Sequence, residues 1–186
     1  MSRAVFLDRD GTLNREVDFV RSPAQLEVLP GVLDALRRLD AAGYRLVVVT
    51  NQSGIARGYL DEAMLARIHT TLHERLDRLP LAWLHCPHHP DGGHGYGRAC
   101  ACRKPAPGLL LAARDLLGVE LAGSVIVGDS ARDLLPARGL GLTTIHVQSG
   151  KPFAAEQQKL RAAGFVPDHE ARDLAAAVDW LLQAQG

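Results

Sequence analysis

No apolar run in this 186-residue chain is long enough to span a membrane, and the N-terminal run Ala4–Leu7 is too short for a secretory core. Both absences predict a soluble protein working in the cytoplasm. Net charge is missing too. Lys+Arg and Asp+Glu each number 21, so no field of one sign points to a polyanionic partner. Aromatic residues make up only 5%, and no basic stripe is interleaved with them, which argues against a nucleic-acid surface. Cysteine is scarce and localised. Cys86, Cys100 and Cys102 are the only three, all in one short stretch, which suits metal ligation better than a disulfide framework. No repeat, low-complexity tract or linker divides the chain. It is expected to form one unit over residues 1–186, and a monomer.

What is present is alternation. Short β-rich runs end in polar residues: Ala4–Leu7 before Asp8, Leu46–Val49 before Thr50, and Ser124–Val127 before Gly128-Asp129. A fourth run is Thr143–Val147. Helical patterns lie between them. Val32, Leu33, Leu36 and Leu39 share a face that stops at Gly43. Asp61 suits an N-cap before a stripe of Leu65, Ile68, Leu72, Leu76 and Leu79. A third pattern runs from Pro107 to Gly118, and a last one from Leu174 to Leu182. Strands alternating with helices predict an α/β fold, a parallel sheet covered on both faces. Ligands in such sheets bind beyond the carboxyl ends of the strands, where these polar residues fall.

The first of those ends carries two carboxylates, Asp8 and Asp10, two residues apart and so turned to the same side. Paired like charges at a buried strand end need a cation or a shared proton. Taken alone, Asp10-Gly11 is equally well an ordinary turn. Three further segments shift the balance. Thr50-Asn51 ends the second run, followed by Gln52-Ser53-Gly54, whose backbone N–H groups can hold a phosphate. Arg103-Lys104 puts cations before a helix, and Asp129 and Asp133 add two carboxylates at a third strand end. Four carboxylates without a soft ligand among them suit Mg²⁺.

This ordered set of Asp-x-Asp-Gly-Thr, strand-Thr, Lys and Gly-Asp-x-x-x-Asp resembles the signature of the haloacid dehalogenase (HAD) phosphatases. The resemblance implies a HAD-like, doubly wound Rossmannoid sheet. It also implies roles. Asp8 is the phosphoryl-accepting nucleophile, and Asp10 is the acid and base. Thr50 and Lys104 stabilise the transferring phosphoryl group. Mg²⁺ is held by Asp8, Asp129 and the Asp10 backbone carbonyl, with Asp133 acting through water or as an orienter.

Cys86-Pro87-His88 and Cys100-Ala101-Cys102 form two pairs with one intervening residue each, matching a tetrahedral structural Zn²⁺ site. His85, His89 and His94 are close by, but two-residue alternation from Cys86 favours His88. The zinc-stabilised loop is placed at about residues 85–104. Its expected work is to order a segment poor in apolar residues and deliver Arg103 and Lys104.

The runs Asp-Arg-Asp-Gly-Thr-Leu-Asn, Thr-Asn-Gln-Ser-Gly-Ile-Ala-Arg-Gly, Cys-Pro-His-His-Pro and Cys-Arg-Lys-Pro narrow the resemblance to the heptose-bisphosphate phosphatases. Histidinol-phosphate phosphatases are the nearest alternative. The resemblance implies removal of the 7-phosphate of a heptose 1,7-bisphosphate, on the way to the heptose of lipopolysaccharide core. It implies substrate contacts from Glu16, Val17, Asp18, Phe19, Asn51, Gln52, Ser53 and Ser130. Arg57 and Arg103 also suit a second phosphate. The spacing leaves room for a short flap over residues 14–28 but for no separate cap domain. Pro136 predicts a shortened or kinked helix after Asp133.

Overall fold

A computed structural model describes residues 2–184. Met1, Gln185 and Gly186, included in the expected unit, lie outside the described residues. Six strands form one sheet: β1 (Ser2–Leu7), β2 (Arg45–Asn51), β3 (Ala82–Cys86), β4 (Val119–Gly128), β5 (Thr143–Val147) and β6 (His169–Ala171). Their order is β3-β2-β1-β4-β5-β6, and every pair is parallel. Six helices connect or follow them: α1 (Val32–Ala41), α2 (Glu62–Arg75), α3 (Gly108–Leu117), α4 (Ala131–Leu134), α5 (Phe153–Ala162) and α6 (Leu174–Gln183).

Alternation along the strands sorts the core into two layers. Val5, Leu7, Val48, Val125 and Val127 meet Leu36 and Leu39 of α1, Ile68 and Leu72 of α2, and Leu181 of α6. Ala4, Phe6, Val47, Val49 and Ile126 face the other way, against Leu109 and Leu110 of α3, Leu134 of α4 and Leu160 of α5. Burial on both faces is why the central strands read as continuous apolar runs. The connections run outward from β1 in one direction through β2 and β3, and in the other through β4 and β5. The order reverses between β1 and β4, so the carboxyl ends of these two strands open a crevice.

The expected helices and the four runs stand near where they were placed, except that α2 ends at Arg75, so Leu76 and Leu79 of its expected stripe lie beyond it, and two further adjustments are needed. β4 starts at Val119, five residues early, and a register shift against β1 absorbs the extra chain. There Ala4 donates its N–H to the Ser124 hydroxyl at 2.8 Å instead of to a strand carbonyl. Pro107 is the N-cap of α3 rather than its first residue. Asp61 caps α2 by accepting the Met64 N–H at 2.7 Å. α4 lasts four residues before a single 3₁₀ turn over Leu135–Ala137, the shortening expected from Pro136. The strands β3 and β6 and the helix α5 were not foreseen.

Candidate active site and thiol cluster

Asp8 is the first residue beyond β1, and its N–H continues the ladder to Val127 O at 3.0 Å. Its carboxylate is buried, 7% exposed. Lys104 reaches it from the far side of the crevice. The Lys104 ammonium lies 2.7 Å from Asp8 Oδ1 and 2.7 Å from Asp133 Oδ1, and it donates to Val49 O at 2.8 Å. Asn51, at the end of β2, fixes that lysine's backbone. Its amide donates to Lys104 O and accepts from Lys104 N, both at 3.0 Å. Burial works against the Lys104 charge, but Asp133 and Asp8 outweigh it and hold the pKa above its usual value.

Asp129, one residue past β4, is 1% exposed, and Asp133 is 2% exposed one turn later in α4. Asp133 also closes a capping box with Ser130, whose hydroxyl and N–H both donate to it. Asp8, Asp129 and Asp133 each offer an oxygen to one small cluster, all within 4.8 Å of one another. Lys104 pairs with Asp8 and Asp133 but not with Asp129, and even with the Arg132 charge nearby the three carboxylates are in surplus. Burial, Asp133 and Asp8 push Asp129 up to about 9, and burial and Asp133 push Asp8 up to about 6. A surplus of buried carboxylate charge, offered through hard oxygen donors, fits a divalent cation such as Mg²⁺. Two glycines make room for it. Gly11 holds φ +84°, and a Cβ there would run into the Asp129 carboxylate, as would one at Gly150.

The Asp10 side chain turns away from that cluster. It accepts from Arg9 Nε at 3.1 Å and Arg9 Nη2 at 3.0 Å, from Asn14 Nδ2 at 2.9 Å and from Gln52 Nε2 at 3.0 Å. Burial raises its pKa, but Arg9 and these hydrogen bonds prevail and hold it below the usual carboxylate value. Gln52 also donates to Thr50 Oγ1 at 2.9 Å.

An open cavity lies over this group. Asp8, Asp10, Thr50, Asn51, Gln52 and Ser53 form its floor, with Glu16, Asp18, Phe19 and Arg103 on its walls. Val17 belongs to the same flap but is 41% exposed and does not line the cavity. Ser130 is also absent from the lining, its hydroxyl being committed to Asp133. Arg57 sits behind Phe19, its guanidinium 6.0 Å above the ring, and bonds His89 at 3.2 Å. Three lining residues were missed: Arg9, Arg132 and Lys151. Arg132 stands inside the Gly-Asp-x-x-x-Asp segment, where a signal existed. Lys151 follows β5, the run without an obvious catalytic end. Its ammonium pairs with Glu16 of the flap at 3.0 Å, while its N–H donates to Asp129 Oδ2 at 2.7 Å.

The second cluster lies at the end of edge strand β3. Cys86, His88, Cys100 and Cys102 bring one ligand atom each within 4.8 Å of the others. Sulfur–sulfur distances are 3.0, 3.3 and 3.4 Å, and His88 Nδ1 lies 3.4 Å from Cys102 Sγ and 3.7 Å from Cys86 Sγ. Ligands about 2.3 Å from a central Zn²⁺ stand about 3.8 Å apart in a tetrahedron, so slight expansion accommodates the ion. The neighbouring histidines are engaged elsewhere: His85 on Glu62 at 3.0 Å, and His89 on Arg57 and the Asp91 N–H. Arg103 donates to the carbonyl of His88 at 3.1 Å, linking this cluster to the cavity wall.

A doubly wound sheet with a buried strand-end aspartate, a lysine bridging it to a second buried aspartate, and a cavity above them defines a HAD-type phosphoric monoester hydrolase. A HAD-hydrolase-like family profile matches residues 101–177. The chain is 44% identical over 160 residues to the D-glycero-beta-D-manno-heptose-1,7-bisphosphate 7-phosphatase of Salmonella typhi, covering 83% of this chain and 85% of that one. It is 38% identical over 186 residues to the same enzyme of Yersinia pestis, covering 97% and 90%. The crystal structure of D,D-heptose 1,7-bisphosphate phosphatase from B. bronchiseptica, complexed with magnesium and phosphate, superimposes with a TM-score of 0.83 at 40% identity, covering 98% of this chain and 99% of that one. The chain belongs to the D-glycero-beta-D-manno-heptose-1,7-bisphosphate 7-phosphatase family.

Proposed function

We propose that this chain removes the 7-phosphate of D-glycero-D-manno-heptose 1,7-bisphosphate, with the whole chain working as one catalytic unit. The observation that carries this reading is the Asp8–Lys104–Asp133 arrangement in a chain with such relatives. A carboxylate of Asp8 attacks phosphorus as the bond from phosphorus to the C7 oxygen breaks, leaving an aspartyl phosphate. Substrate binding brings phosphate negative charge against Asp10, which favours its protonated form, and Asp10 then gives that proton to the leaving sugar oxygen. It then takes a proton from the water that attacks the aspartyl phosphate, releasing inorganic phosphate and restoring Asp8. Lys104 and the Thr50 hydroxyl stabilise charge on the transferring group.

Asp8, Asp129 and the Asp10 carbonyl would hold Mg²⁺, with Asp133 beside them. Bound there, the ion would neutralise the surplus carboxylate charge and polarise phosphoryl oxygens. Glu16, Asp18 and Ser53 offer hydrogen-bonding groups to the sugar hydroxyls. Arg103 and Arg132, which both line the cavity, offer guanidinium groups to the second phosphate. Cys86, His88, Cys100 and Cys102 would hold a structural Zn²⁺, which would order the loop that carries Arg103 and Lys104. The setting is a cytoplasmic monomer supplying a lipopolysaccharide-core heptose precursor. Among the described residues no helix is long and apolar enough to cross a membrane.

The test compares phosphate release from heptose 1,7-bisphosphate and histidinol phosphate, with ³¹P NMR showing which phosphate leaves. The expected result is loss of the 7-phosphate. Faster turnover of histidinol phosphate would overturn the substrate assignment.

A further inference from the structure

Among the described residues Arg9 is the largest fully buried side chain, at 0% exposure. A buried guanidinium is costly, and filling that space would need no more than a methionine. Its partners show how the charge is used. One edge of the fork grips Asp10, through Nε to Oδ2 at 3.1 Å and through Nη2 to Oδ1 and Oδ2 at 3.0 and 2.8 Å. The other prong, Nη1, lies 3.2 Å from Nε2 of His69. Arginine has no acceptor, so that histidine nitrogen must receive the bond and the ring proton must sit on Nδ1.

His69 comes from α2, sixty residues along the chain, and is 8% exposed. Trp83 lies against its ring at 5.0 Å between centroids, and His85 meets it edge-on at 5.8 Å. Burial, with the Arg9 charge next, pushes its pKa down to about 3, so it is a neutral acceptor across the working pH range. That neutrality matters. A carboxylate in its place would form an ion pair and draw the guanidinium away from Asp10, whereas an imidazole holds the fork in plane and leaves its charge to Asp10.

We propose that His69 and Arg9 are positioning residues for the acid/base Asp10, with His69 fixing the guanidinium and the guanidinium aiming the carboxyl group. The inference rests on the reading of Asp10 given above. Neither residue touches the scissile bond, so their effect must pass through proton delivery to the leaving oxygen.

The experiment measures kcat/KM, which covers steps only as far as transfer to Asp8, on two substrates. Heptose 1,7-bisphosphate has an alkoxide leaving group that needs a proton, while 4-nitrophenyl phosphate has one that does not. His69→Leu should lower kcat/KM on the sugar about tenfold, a part of what general acid catalysis supplies, and should change the aryl substrate by less than about threefold on the same ground. His69→Gln, which returns a neutral acceptor, should restore most of the loss. If His69→Leu does not fold, Arg9→Lys carries the test, since it keeps the charge but loses the fork. Equal losses on both substrates, or none on either, would overturn the positioning role. Asp10→Asn is the control. If it shows the leaving-group split and the His69 and Arg9 variants do not, only this inference fails. If Asp10→Asn shows no split, the acid role fails and this inference fails with it.

Discussion

The two clusters that could hold metal are built in opposite ways. The carboxylate cluster sits at the ends of β1 and β4, the two central strands of the sheet, with Asp8, Asp129 and Asp133 at 7, 1 and 2% exposure. Its geometry comes from the sheet: the ladder bond of Asp8, the capping box of Asp133 and the Asn51 bracket on Lys104 exist without an ion. The thiol cluster hangs from edge strand β3, and its loop puts only Cys100 and Cys102 against the core between residues 87 and 103. Backbone bonds such as Gly93 N–H to Ala56 O at 2.7 Å, and side-chain contacts such as Arg57 to His89 at 3.2 Å, are its other support. The catalytic site is thus held by the core, whereas the loop must be held by its ligand. Ions should therefore matter to chemistry in one cluster and to loop structure in the other.

The sharpest way to break this contrast is to remove the nucleophile without disturbing its surroundings. Asp8→Asn is nearly isosteric and keeps an acceptor for Lys104, so the fold should persist while turnover vanishes. Rapid-quench labelling should mark Asp8 in the unaltered protein. Near-normal turnover in Asp8→Asn would end the proposed mechanism. Next in size is Asp10→Asn on the sugar substrate, with an expected kcat loss of about 100- to 10,000-fold. The Asp10 backbone carbonyl is unchanged, so Mg²⁺ affinity measured by titration should hold. A loss of only a few-fold would make Asp10 a turn residue.

Zinc removal should come third. Chelation, or Cys100→Ser, should lower activity by about tenfold, the scale of outer-sphere positioning defects. Far-UV circular dichroism should barely change, because the strands lie outside residues 87–103. Metal analysis of protein purified without chelator should find about one zinc per chain. Added Mg²⁺ should not replace it, since thiolates are poor ligands for a hard cation. Full activity in a zinc-free sample would refute the link from His88 through Arg103 to the cavity.

The contrast also explains what could be read from the sequence. Strands buried on both faces announce themselves as apolar runs, and β1, β2 and β5 were visible for that reason. The residues that end β1, β2 and β4 were visible as polar interruptions of such runs. β3 was hidden because Ala82-Trp83-Leu84-His85 is only partly buried at the edge, and β6 because it has three residues. α5 buries only Glu156 and Leu160, too little for a stripe. Lys151 and the Arg9–His69 contact were hidden for a different reason. They join segments far apart in the chain, and neither partner stands out by type or spacing. Ser130, Val17 and Arg57 differ again, being positions expected at the substrate that fall beside the cavity lining rather than in it.

The smallest expected effect is on stability, and it concerns Asp129. Burial, then Asp133 and Asp8, raise its pKa from 3.8 to about 9 in the metal-free fold. A carboxyl group whose folded pKa is raised binds its proton more tightly folded than unfolded. Its contribution is therefore fully present below 3.8 and is lost as pH climbs toward about 9. Metal-free protein should thus lose thermal stability as pH rises between about 5 and 8. Mg²⁺ requires the ionised form, so its stabilising shift should grow over the same interval. Asp129→Asn removes the titrating group and should flatten both trends. Calorimetry with and without Mg²⁺ at each pH checks this. A metal-free midpoint that stays level or rises across the interval would show that the fold, without an ion, already balances the charge of its three carboxylates.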